Sequence, residues 1–238
     1  MMYITYNGIT NTDVGAELVE IDIPARAERE NETITIPGRV SPLVRIYPQR
    51  DAYSITVTLR ILYNEDLSTV YNWLSGSGRL VFSDTPDRYY NVSACAGISS
   101  KRIGAANTIR EVKIKLTCAP FAYAIANDPV ELTSSPAQLQ TVGTMYSEPL
   151  IELTGTGDLS LTVNGVTLEI KDVSGTVFID VHTCQVYKLE YGAKTSIISS
   201  TTGWIEQMVL VPDTEAVNVI TWTGDVSGVK ITKNERWQ

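Results

Sequence analysis

Apolar and polar residues alternate with a period of two along most of this chain, a pattern that buries one face of a β-strand but forms no stripe on a helix. In SITVTLRIL, Ile55, Val57, Leu59 and Ile61 fall on one side and Thr56, Thr58 and Arg60 on the other. VKIKLTC repeats the pattern, with Val112, Ile114, Leu116 and Cys118 against Lys113, Lys115 and Thr117. Both read as antiparallel strands with one wet face. In LSLTVNGVTLEI, Leu159, Leu161 and Val163 alternate up to Asn164-Gly165, and Val166, Leu168 and Ile170 alternate away from it. Asn-Gly supplies the two positive φ angles of a type I′ turn, so a hairpin is expected here.

A helical period stands out in NEDLSTVYNWLSGSG. Leu67, Val70, Tyr71 and Leu74 fall at i, i+3, i+4 and i+7 and make one apolar stripe. Asn64 is the expected N-cap, Glu65 and Asp66 suit the first turn, and Gly76 and Gly78 can end the helix. The stripe needs a sheet to cover.

Residues 127 to 143, NDPVELTSSPAQLQTVG, interrupt the alternation with two prolines and small polar residues, and mark a boundary. With 238 residues and 43% hydrophobic content, the chain is long enough for two cores. The expected organisation is an N-terminal domain over 1–130, a linker over 131–143 and a C-terminal domain over 144–238. TVFIDV, CQVYKLEY, MVLV and VNVITW suit a sandwich of about eight short strands in the latter. The fold class is therefore mainly β, with one α-helix in the first domain.

A net charge of −8 argues against tight binding to nucleic acid or to an anionic membrane. MMYITYNGITN has no basic segment followed by an apolar one, and nowhere do 18 apolar residues run together. Neither a signal peptide nor a membrane span is expected, and synthesis is placed in a cytoplasm. Cys95, Cys118 and Cys184, an odd number at wide spacings, fit reduced core thiols better than disulfides or a zinc site.

Candidate chemistry is thin. His182 is the only histidine; if FIDVHTC is a strand, Asp180, His182 and Cys184 share a face, but a metal or a Cys-His pair would need further groups from elsewhere. Asp84, Asp87, Glu148, Glu152 and Asp180 offer no basis for choosing a catalytic pair, since a pair is defined by its separation in space. The glycines of GSGR close a helix where a phosphate loop would open one. Twelve tyrosines against three phenylalanines, with Trp204, Trp222 and Trp237, would suit a sugar-stacking platform, for which Tyr191 and Trp204 are the candidates. Core and interface packing is the favoured alternative. No catalytic, metal or cofactor residues are assigned.

One ordered set of pieces resembles a known family. Trp73-Leu74, the glycines from Gly76 to Gly78, Leu80-Val81-Phe82, and then Asp84, Pro86, Asp87, Arg88, Tyr89 and Tyr90 are similar to the signature of the distal tail proteins of long-tailed, non-contractile bacteriophages and prophages. ELVEIDIP, Pro37-Gly38-Arg39 and SITVTLRIL upstream resemble the same family. So do VKIKLTCAPFAY and SEPLIELTGTGDLSLTVNG downstream, and the terminal ITKNERWQ. The likeness is strong over 50–153 and loose over 185–238, and residues 192–207 have no counterpart.

The resemblance implies a non-enzymatic virion protein of the phage tail tip, a homo-hexamer without cofactors. Its N-terminal β-barrel or sandwich would form a belt around a channel, and its C-terminal galectin-like β-sandwich would project outward. The ring would join the tail tube to the tail-associated lysin or fibre hub and to receptor-binding proteins. DNA would pass the channel without specific binding, helped by the acidic balance. A host cell-wall saccharide is a further candidate partner, and a carbohydrate-binding accessory module is the alternative function. On this reading Asp84, Pro86, Asp87 and Arg88 form a structural turn, with both carboxylates in Asx-type bonds, Pro86 fixing φ, and Arg88 paired either to one of the carboxylates or to a neighbouring subunit. Exposed strand edges for neighbouring subunits are expected near 55–62 and 109–118.

Overall fold

The computed structural model describes residues 2–23, 29–35, 37, 41, 43–61, 67–103 and 109–238. The fold is mainly β, with strands running from β1 to β18 and a single α-helix, α1, among the described residues. It divides into two compact units, Met1–Ile125 and Ala126–Trp237, with Gln238 joining the first.

The first unit holds β1 (Ile4–Tyr6), β2 (Ile9–Thr10), β3 (Ala16–Asp22), β4 (Arg29–Ile34), β5 (Leu43–Arg50), β6 (Tyr53–Ile61), α1 (Leu67–Trp73), β7 (Gly78–Phe82), β8 (Arg88–Ile103) and β9 (Ile109–Ala124). Its main sheet has the antiparallel order β2-β1-β7-β8-β9-β6-β3, while β4 and β5 pair separately. The alternation works as the sequence predicts: Ile55, Val57, Leu59 and Ile61 meet Val112, Ile114, Leu116 and Cys118 in one core. Register sets them side by side, with Ile55 opposite Leu116 and Val57 opposite Ile114.

The helix closes this core. Val70 and Leu74 are fully buried, and Leu67 and Tyr71 pack at its margin, so the predicted stripe is the face that covers the sheet. Burying Val70 and Leu74 contributes about 1.5–3 kcal/mol each. Trp73, which lies outside that stripe, is also buried, and its indole N–H reaches the carbonyls of Tyr6 and Ile9, both at 3.2 Å. Gly76 stands at φ 80° just after the helix. The expected caps Asn64, Glu65 and Asp66 lie outside the described residues, as do Gly38 and Arg39.

The second unit holds β10 (Val130–Leu132), β11 (Ala137–Leu139), β12 (Leu150–Val163), β13 (Val166–Asp180), β14 (Gln185–Glu190), β15 (Ala193–Ser196), β16 (Thr201–Thr202), β17 (Asn218–Thr232) and β18 (Arg236–Trp237). The order is β10-β17-β12-β13-β14-β15, with β11 also on β17 and β16 also on β13. Asn164 and Gly165 have φ of 50° and 84°, as a type I′ turn demands, and Val163 pairs with Val166 across them. The long strands bend at bulges, one of them between Gly157 and Leu159, and enclose a core that includes Ile151, Leu161, Ile170, Val177, Met208 and Ile231. Residues 131–143, read as a linker, carry β10 and β11, whose backbone groups pair with β17.

Candidate functional site

The stretch from Asp84 to Tyr90 turns the chain from β7 into β8. Backbone bonds close the turn: Thr85 N–H donates to Phe82 C=O at 3.2 Å, and Arg88 N–H to Thr85 C=O at 3.3 Å. The carboxylates serve side chains where Asx-type bonds were expected. Arg88 forks onto Asp87, Nε to Oδ1 at 3.2 Å and Nη2 to Oδ2 at 3.0 Å, while Thr85 Oγ1 bonds Asp84 Oδ1 at 3.4 Å. The hydrogen bond from Arg88 holds the Asp87 carboxyl below the usual range. Asp87 C=O accepts from Ile125 N–H at 3.0 Å, tying the turn to the end of β9. Tyr89 stacks on Tyr123 at 5.8 Å with the Arg79 guanidinium 4.4 Å from its ring, and Tyr90 meets Phe82 edge-on at 5.2 Å. The carboxylates and Arg88 bond within the turn, while Tyr89, Tyr90 and the Asp87 carbonyl brace the neighbouring strands.

Strand order corrects the expected edges. The segments 55–62 and 109–118 belong largely to β6 and β9, and both strands are interior: β6 lies between β3 and β9, and β9 between β6 and β8. Their ladder groups are already taken. The open edges are elsewhere. β3 and the two-residue β2 end the sheet, and β8 pairs with β7 only over Tyr90–Val92, so from Ser93 onward its outer side has no strand partner among the described residues, which leaves β3 and β8 as the long open edges.

These two edges differ in charge. On one face, register lines up Lys101, Glu111, Arg60 and Glu17, then Ser99, Lys113, Thr58 and Glu20, then Gly97, Lys115, Thr56 and Asp22. Glu17, Glu20 and Asp22 make the β3 side acidic, whereas Lys101, Lys113 and Lys115 make the β8 and β9 side basic; Arg60 and Glu17 pair across the middle at 3.4 Å. The sequence contains this polarity, but only the register shows it.

The His182 reading is corrected too. Residues 181–184 form the turn between β13 and β14, so Asp180, His182 and Cys184 share no strand face. Asp180 instead accepts from Thr183 N–H at 3.2 Å, and Cys184 sits at φ 52° with its thiol directed to Val181 C=O. His182 Nδ1 lies 2.7 Å from Glu148 Oε2, and Arg236 grips the same carboxylate at 3.0 and 3.2 Å. Burial pushes the Glu148 carboxyl up, but the hydrogen bonds and charges of His182 and Arg236 outweigh it and hold the group below its usual range. Among the described residues no three His, Cys, Asp or Glu side chains gather as metal ligands. Cys118 is a core thiol, its pKa pushed up to about 12 by burial; Cys95 is half-buried and Cys184 is exposed, against expectation. Tyr191 and Trp204 are both exposed, at 111% and 66%, and no ring contact joins them. Trp237 is buried and Trp222 packs against the second core.

Comparison with known proteins finds likeness among solved structures. No protein-family model matches the chain, and no curated protein does. A solved structure described as SPP1 Dit (gp 19.1), a paradigm of the hub adsorption apparatus in Gram-positive infecting phages, aligns over 100% of both chains with a TM-score of 0.78 and 15% sequence identity. The fold is Dit-like.

Within this Dit-like fold, the segment 192–207 is built from β15, two 3-10 turns at Ile198–Ser200 and Ile205–Gln207, and β16, which pairs Thr201 with Ile170. Ile205 reaches the core. The segment is thus an integral edge of the second sheet.

Proposed function

We propose that this chain is a structural subunit of a phage tail tip, a distal tail protein that closes into a hexameric ring. The ring joins the tail tube to the tail-associated lysin or hub and to receptor-binding proteins, and it catalyses no reaction. The observation that carries this reading is the end-to-end likeness to a protein described as part of a phage adsorption hub.

Physical support comes from the two open edges. A closed ring is a heterologous assembly, so each subunit must present two different, complementary faces. The acidic edge at β3 and the basic edge at β8 meet that requirement, and strand pairing between them would satisfy backbone groups that are otherwise left to water. The β8 edge is also long enough to matter, since it continues from Ser93 to Ile103.

Light scattering on the purified chain, followed by negative-stain imaging, tests the reading. Six-fold rings are expected. The paired change Glu20→Lys and Asp22→Lys should dissociate them, and adding Lys113→Glu and Lys115→Glu should restore part of the assembly. A protein that stays monomeric, both alone and mixed with its tail-tube neighbour, would overturn the reading.

A further inference from the structure

On the outer face of the second unit, register places Glu152 opposite Phe178 and Phe178 opposite Tyr187. The two rings are nearly parallel, with 9° between their planes and centroids 5.3 Å apart. The Lys194 ammonium lies 4.3 Å from the Tyr187 ring. Tyr187 is therefore covered by a ring and a cation, and is buried. Phe178 is half-exposed, and its cross-strand neighbour away from Tyr187 is Glu152.

β14 follows β13 only over Phe178–Asp180, and then the strands part. Where they part they leave a cleft of ≈ 640 Å³ whose lining includes Glu152, Ser174, Thr176, Phe178, Lys188 and Glu190, a volume inside the roughly 300–1,000 Å³ range of small-ligand sites. An aromatic ring on an outward face packs against water unless something covers it. Glu152 is half-buried, and among the described residues its carboxylate has no hydrogen-bond or ion-pair partner; Lys230 stands opposite it on β17 without forming an ion pair. An ionised carboxylate is an acceptor with room for several donors, and this one is unused.

The ligand chemistry follows from what these groups can satisfy. A purely apolar ligand would cover Phe178 but strip water from Glu152 without replacing it, at a cost. A phosphate or other polyanion would face Glu152 and Glu190 together. A neutral sugar ring has an apolar face for Phe178 and adjacent hydroxyls that donate to Glu152, while Ser174, Thr176 and Lys188 can bond its remaining oxygens. We propose that the cleft between β13 and β14 binds a neutral saccharide, with its ring stacked on Phe178 and its hydroxyls donating to Glu152. Tyr191 and Trp204, the stacking residues expected from sequence, take no part. The inference does not depend on the tail-tip reading.

The test is ligand-observed saturation-transfer NMR on the full chain with a panel of neutral monosaccharides and disaccharides, each at about 10 mM to reach weak sites. At least one sugar should bind saturably. Glu152→Gln should weaken it about tenfold or more by removing the charge-assisted bonds while keeping the shape. Phe178→Leu should weaken it as well, and Tyr191→Ala and Trp204→Ala should leave it unchanged. Silence across the panel, or binding that survives Glu152→Gln, would overturn the site. Because ring formation is read separately by mass and imaging, a failure here is distinguishable from a failure of the assembly reading.

Discussion

Asn164 Nδ2 donates to Asn218 Oδ1 at 2.8 Å, which fastens the β12–β13 turn to the start of β17. Asn218 is fully buried, and it also bonds Val211 in both directions, accepting from N–H at 2.7 Å and donating to C=O at 2.9 Å. Asn164 uses its remaining capacity on Val209 C=O and Val219 N–H, each at 3.0 Å. Asn218→Ala leaves buried partners on both sides unsatisfied, so the protein should lose about 2–4 kcal/mol, read as a lower denaturation midpoint. Asn218→Asp should be nearly as costly, because Val211 C=O then faces a charge.

Gly78 lies against Asn7. A Cβ at Gly78 would stand 2.3 Å from Asn7 Oδ1, the atom that accepts from Arg79 N–H at 2.9 Å. Gly78→Ala should therefore displace Asn7 and cost about 1–3 kcal/mol. Pairing it with Asn7→Gly, which removes the obstructing side chain, should recover part of the loss, and thermal melts of the two variants would show it.

Glu148 sets a pH window. Its carboxyl is held below the usual range in the folded protein, so its contribution is present in full at neutral pH and is lost as pH falls through that lowered value. Glu148→Gln should cost about 1–2 kcal/mol at neutral pH. In melts recorded along an acid series, the gap between wild type and variant should stay flat down to the ordinary carboxylate range, about pH 4, and narrow below it. A gap that widened on acidification would contradict the assignment.

The Asp87–Arg88 pair should matter little to stability. The Asp87 carboxylate is more than half exposed, with 55% side-chain accessibility, and the turn is closed by backbone bonds that do not involve it. Asp87→Ala should change stability by less than about 1 kcal/mol, and melting curves would decide it. A drop well beyond that would mean that the side chain, and not the backbone, holds the turn.

The three thiols should react in a fixed order. Cys184 is exposed, Cys95 half-buried, and Cys118 fully buried with its pKa pushed up to about 12. Mass spectrometry after brief treatment with an alkylating reagent should find Cys184 modified first and Cys118 only after denaturation.

Much of this protein was legible in the sequence because alternation and turn chemistry are local. The faces of β6 and β9, the stripe of α1 and the Asn164-Gly165 hairpin follow from periods and φ requirements that neighbouring residues settle among themselves. Asn7-Gly8, at φ 52° and 84° between Tyr6 and Ile9, carries the same turn signal and was readable on the same grounds. What only the tertiary structure decided is which strands lie side by side. Every strand offers the same row of N–H and C=O groups, so alternation says which side chains share a face and nothing about the neighbour across the ladder. That choice made β6 and β9 interior, left β3 and β8 open with opposite charge, set Asn218 beneath a turn 54 residues away, and aligned Glu152 with Phe178 at the mouth of the cleft.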